Sequence, residues 1–218
     1  MNALALQFID LLAAVSLLLA FALLIQRRFS AMIDFYATQS LVLVITTSLA
    51  GWMTGQRHLY LSAALTFVLK VVLIPVLMHT LLRRLHLDST VDTVVKLPTT
   101  LLMGLLLVIF AFGVARPIAQ LSTALASGTL GIALAGVLIG FLMMITRSRA
   151  IPQVLAFLAM ENGVFLAATG VTHGMPMVVE LGIAVDVLIG ILILGVFLSH
   201  LHSAAPSPGA TAREGDGA

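Results

Sequence analysis

The stretch IPQVLAFLAMENGVFLAATGVT, residues 151 to 172, is apolar for long enough to cross a bilayer and carries one ionisable side chain, Glu161, near its middle. A hydrocarbon core about 30 Å thick takes about 20 residues of helix. A charge at its centre costs roughly 2.5–3.5 kcal/mol, so Glu161 must face other protein or water rather than lipid. Such a residue belongs to a bundle of membrane helices.

Two further apolar runs carry a charge at similar depth. Lys70 lies 13 residues before Arg83 and Glu161 lies 12 after Arg149, roughly 20 Å and 18 Å of helix. Asp186 is about ten residues into a last run that ends near His200. The three residues therefore share one layer near the midplane. Asp10 and Asp34 are nearer the ends of their runs, where head groups and water are in reach. Glu180, about four residues into the last run, is open to an interfacial or an access role.

The rest of the chain agrees with a membrane bundle. It is 61% hydrophobic and 9% charged, with a mean hydropathy of +1.16, more apolar surface than a soluble fold of this length could cover. Seven runs, at about 3–26, 33–54, 59–82, 97–115, 122–145, 151–172 and 176–200, predict an all-α polytopic membrane protein. Residues 1–202 form the transmembrane domain in this reading. Residues 203–218, SAAPSPGATAREGDGA, are small and polar and are expected to be a disordered tail. The first run is long, lacks a basic start and is followed by Arg27 and Arg28, so it reads as a helix that stays rather than a cleaved signal.

With seven spans, Arg27, Arg28, Arg83, Arg84, Lys96, Arg147, Arg149 and Arg213 lie on one side, against Arg57 and Arg116 on the other. The excess predicts a cytoplasmic C-terminus and an outside N-terminus in the cytoplasmic, or inner, membrane. The net charge of +2 arises from these flanks, and no basic patch with interleaved aromatics suggests nucleic acid. Cysteine is absent, which excludes thiolate metal sites and iron–sulfur ligation. No His or second carboxylate stands three or four residues from Glu161, and the six histidines gather at span ends, so no metal or other cofactor is expected.

Buried carboxylates and a buried lysine can exchange protons, and together they can relay charge. An alignment of Arg27 with Arg149 sets Gln39 against Glu161 and, with a connection six residues shorter in the second copy, Lys70 against Asp186, which would make the first three spans and the last three a parallel repeat. Any two Leu-rich helices align in part, so the alternative is chance similarity. Gly136 and Gly140 form a small-xxx-small pair at which another helix, from this chain or another subunit, can approach. Pro75 lacks an N–H and is expected to free the carbonyl four residues back, next to Lys70. Gly163 and Gly170 are expected to weaken the helix after Glu161. The loop LHLDSTVDTVVK, 85–96, is expected to lie as a short amphipathic turn on the surface.

AFLAMENGVFLAATG (156–170), VVELGIAVDVLIGILILG (178–195), DFYATQSLVLV (34–44) and VLKVVLIPVLM (68–78) resemble the E subunit of hydrogenase-4, a membrane-arm component of group 4 nickel–iron hydrogenase complexes of the formate hydrogenlyase type. The resemblance runs to about residue 202. The last three spans are also similar to the K subunit of complex I and to the C subunit of Mrp antiporters. In the complex I subunit a Glu on the second helix and another on the third lie in the proton route, and Glu161 and Asp186 take those positions here. The shorter acid at the second place departs from that pattern. The resemblance implies a non-catalytic subunit, without a redox centre, between an antiporter-like and a hydrogenase-anchoring membrane subunit. Glu161 and Asp186 would carry protons, Lys70 would tune or join them, and Gln39 and Glu180 would be auxiliary polar groups. A purely structural scaffold and a small independent ion transporter are the alternatives.

Overall fold

The computed structural model describes residues 3–84, 91, 93–119, 126–171, 182, 184–192 and 195. Glu180, most of the last span, most of the 85–96 loop and the 203–218 tail lie outside the described residues. The helices are α1 (Ala3–Ile25), α2 (Phe29–Thr54), α3 (Arg57–Thr66), a π-helical turn (Phe67–Leu73) that runs on into α4 (Ile74–Arg84), α5 (Leu97–Ala119), α6 (Ala126–Thr146) and α7 (Ala150–Val171). Residues 184–192 are helical as well. Among the described residues six helices are long and apolar enough to cross a membrane, with α3, the π turn and α4 forming one of them. The protein is an all-α, multi-pass membrane protein.

Gly55 ends α2 with φ +69°, the left-handed conformation that lets a chain leave a helix and turn back. α2 begins at Phe29, four residues before the expected start, because Phe29, Met32 and Ile33 are buried core residues. α2 packs on α1, α3, the π turn, α4 and α7, while α6 packs on α1, α5 and α7. α2 and α7 thus reach the centre. α5 lies outside and turns Leu102, Leu105, Leu106, Ile109 and Phe110 outward, as lipid contact requires.

The closest helix contact is α6 on α7, and it uses glycine on both sides. A Cβ at Gly140 would stand 2.7 Å from the Met160 backbone, and one at Gly163 would stand 2.8 Å from Val137 N. Neither helix could come so near with larger residues. The glycine face seen in the sequence is therefore filled by α7 of the same chain rather than by another subunit. Gly163 is a packing position, and α7 continues through it to Val171.

Arg147 closes one end of the bundle. Its buried Nη2 donates to the carbonyls of Leu23, Leu24 and Gln26 at 3.0, 2.9 and 2.9 Å. Leu23 and Leu24 are in the last turn of α1, whose carbonyls have no helical donor of their own, and Gln26 follows it directly. Burial first, and the charge of Arg27 second, push this guanidinium down to about 10, so it stays charged at neutral pH. Val91 N donates to Arg27 O at 2.7 Å and Val94 N to Thr146 O at 3.0 Å, and Thr93 bridges to Arg147. Val91, Thr93 and Val94 of the 85–96 loop thus lie across the ends of α1 and α6, where their backbone finds partners.

Candidate functional site

Lys70 sits in the middle of the π turn, 1% exposed. The turn has a consequence for the backbone. Ile74 N–H reaches back five residues to Leu69 O, so in the same register the donor for Lys70 O would be residue 75. That residue is Pro75, which has no N–H. The carbonyl left without a helical partner is therefore that of Lys70 itself, one residue before the position expected from an ordinary α-helix.

The Lys70 ammonium lies among three oxygens. Glu161 Oε1 is 3.1 Å away and Asp186 Oδ1 3.5 Å. Nζ also donates to Asn162 Oδ1 at 3.1 Å. Asn162 thus accepts one N–H, and the two carboxylates lie within ionic range of the charge. Glu161 is 12% exposed and Asp186 2%. Neither Glu161 oxygen nor Asp186 Oδ1 receives a hydrogen bond of good alignment, so the acids are held by charge and keep free lone pairs.

The cluster continues through neutral groups. Asn162 Nδ2 donates to Ser40 Oγ of α2 at 3.1 Å. Tyr36, one turn earlier, is fully buried, with its hydroxyl in electrostatic range of both acids but without a well-aligned hydrogen bond. Gln39 is buried beside Ser40, but its Nε2 donates to Ser16 O of α1 at 3.4 Å, outside the charge cluster. Lys70, Glu161 and Asp186 are therefore brought together from three elements, and Gln39 ties α2 to α1. Asn162, Ser40 and Tyr36 were not singled out from the sequence. Their signal was the i, i+4 spacing of Tyr36 and Ser40 and the direct adjacency of Asn162 to Glu161.

Glu161 also borders a partly open cavity of about 170 Å³. Phe157, Met160, Val164 and Phe165 of α7 line it together with Gly182 and Val185. A Cβ at Gly182 would stand 3.0 Å from Glu161 Oε1, so the missing side chain makes room for the carboxylate. Among the described residues no three His, Asp or Glu side chains gather as a metal site would need.

Hydrogenase-4 component E of Escherichia coli is 26% identical over 160 residues, 73% of this chain and 74% of its own. This chain is similar to hydrogenase-4 component E over most of its length. An uncharacterized protein of Mycobacterium tuberculosis is 29% identical over 195 residues, 87% of each chain, and the component E of Shigella flexneri matches as the Escherichia coli one does. No family model matches the sequence. No solved structure matches it either. The component E relatives align with nearly three quarters of their own length, a span that requires most of the membrane helices.

Proposed function

We propose that this chain is a non-catalytic membrane subunit of a hydrogenase-like complex and that Lys70, Glu161 and Asp186 relay protons through it while partner subunits carry out the redox chemistry. The observation that carries this reading is the sharing of one buried ammonium by two carboxylates, Asp186 buried and Glu161 at the edge of a cavity. With all three ionised the group has one negative charge too many for a low-dielectric site. One proton removes that excess. The same arrangement then holds a proton in one step and hands it on in the next, as the ammonium moves between the acids.

The reading places an antiporter-like subunit and a hydrogenase-anchoring subunit beside the chain, by likeness to hydrogenase-4 component E. The arginine-rich ends of α1, α4 and α6 face the cytoplasm in this proposal, with the N-terminus outside. Glu180, if it lies near the outer end of the last span, is an exit group.

Glu161→Gln tests the relay. It keeps volume and most polarity but removes the exchangeable charge. Proton pumping by the reconstituted complex is expected to be lost, while assembly and hydrogen oxidation with a soluble dye persist. Normal pumping by an intact Glu161→Gln complex would overturn the relay. A scaffold predicts the opposite emphasis, because a Lys70 that loses a charge partner destabilises the bundle by about 3–5 kcal/mol and the complex fails to assemble.

A further inference from the structure

Asp34 and His79 face each other at the arginine-rich end of the bundle, away from the Lys70 cluster. Asp34 Oδ1 is 3.5 Å from His79 Nε2, with the carboxylate side chain 71% exposed and the imidazole 33%. Asp34 is in the second turn of α2, and His79 is one turn before Arg83 on α4.

The other ring nitrogen decides what the pair can do. His79 Nδ1 is 3.0 Å from Pro75 O. A carbonyl can only accept, so Nδ1 carries hydrogen, and the neutral ring then presents a lone pair at Nε2. That lone pair faces a carboxylate oxygen, which also only accepts. Two acceptors in this position repel each other, and one proton between them turns the repulsion into attraction. The proton rests either on Nε2, as imidazolium and carboxylate, or on Oδ1, as imidazole and carboxylic acid. The geometry is that of a site for one shared proton.

We propose that Asp34 and His79 form the proton-loading site that supplies the Lys70–Glu161–Asp186 cluster from the arginine-rich end, an inference that rests on the relay reading. A hydronium ion delivers one proton to the pair and leaves as water, and the pair later gives that proton to a water molecule on the inner side. The charged and titratable groups on the elements packed around it are Asp10 on α1 and Arg27 and Arg28 between α1 and α2, Tyr36 on α2, Arg57, His58 and Tyr60 on α3, Lys70 on the π turn, Arg83 and Arg84 on α4, and Glu161 on α7.

Nine residues separate His79 from Lys70, roughly 13 Å of helix. Ile74 and Met78 lie between them, buried in one apolar cluster with Ile33 and Tyr36. That dry section keeps the loading site and the cluster from exchanging protons continuously, which a pump needs. On its inner side lie the Lys70 cluster and the buried Tyr36 hydroxyl.

The test uses the whole complex in vesicles, with His79→Ala and Asp34→Asn compared with Glu161→Gln across a pH series. Each of the first two variants is expected to pump about tenfold more slowly or worse at the limiting pH, with dye-linked hydrogen oxidation unchanged. Added imidazole is expected to restore His79→Ala, a response that a structural role would not produce. Wild-type pH profiles in both variants, with Glu161→Gln inactive, would overturn the loading site and leave the relay standing. Normal pumping by Glu161→Gln would instead overturn the relay. Should either variant fail to assemble, infrared difference spectra of the wild-type complex across pH decide. Carboxyl and imidazole bands that change together support the shared proton, and bands that change independently refute it.

Discussion

A methyl group at residue 182 would sit 3.0 Å from Glu161 Oε1, whereas one at Gly190 would meet nothing within 4 Å. Gly182→Ala is therefore expected to push the Glu161 carboxylate off its rotamer, at a cost of about 0.5–1.5 kcal/mol. That slows proton transfer about two- to tenfold, and Gly190→Ala leaves it unchanged. Pumping rates of the two variants at equal complex content check this. The residue-level reading was strongest where burial and charge conflict. Lys70, Glu161 and Asp186 could be noted because the bilayer makes any central charge conspicuous. Asn162 and Ser40 carry no charge, so nothing in composition distinguishes them from the many hydroxyl and amide groups that bond within their own helix, as Thr46 and Thr47 do. Gln39 looked like a member of the cluster because it shares its depth. Its side chain is aimed at α1 instead, a matter of helix rotation.

Among elements, the α6–α7 contact depends on glycine more than any other. A Cβ at Gly140 would meet Met160 backbone, which cannot swing aside, so Gly140→Ala must part the two helices. A loss of about 1–3 kcal/mol is expected, read as a lower unfolding temperature in detergent. Gly113→Ala on α5, where a Cβ meets nothing within 4 Å, is the control and is expected to be neutral or slightly stabilising. Arg147→Ala leaves two carbonyls of α1 and that of Gln26 after it without their donor and is expected to cost about 3 kcal/mol in the same measurement, with Arg147→Lys giving partial rescue because an ammonium cannot reach all three from the same place. The spans themselves were legible from hydropathy, to within a few residues of α2, α5, α6 and α7. The π turn was not. Phe67–Leu73 reads as ordinary apolar helix, and the five-residue register appears only when the surrounding helices hold Lys70 against its partners.

At the scale of the whole molecule, the uneven arginines make a prediction about orientation. The chain has no cysteine, so single Arg57→Cys and Arg83→Cys variants can be labelled without background. In right-side-out vesicles an impermeant maleimide is expected to label the first and spare the second, with the reverse in inverted vesicles; the opposite pattern would turn the topology over. α1 packs on α6, α2 on α7, and Lys70 is in ionic contact with Asp186. What the sequence determined by itself was the solvent, because 61% hydrophobic residues in spans of membrane length leave a bilayer as the only medium that accepts them. It also determined the depth of the three charges, since helix rise converts residue number into distance from the flanking arginines. Only the tertiary structure decided which side chains meet. Facing depends on how each helix is rotated and how closely its neighbours approach, and those are set by contacts such as Gly140 on Met160 and Arg147 on the end of α1, between residues far apart in the chain. The Asp34–His79 pair was hidden for the same reason. Each residue alone stood near a span end, and only the packing of α4 on α2 put imidazole and carboxylate in reach of one proton.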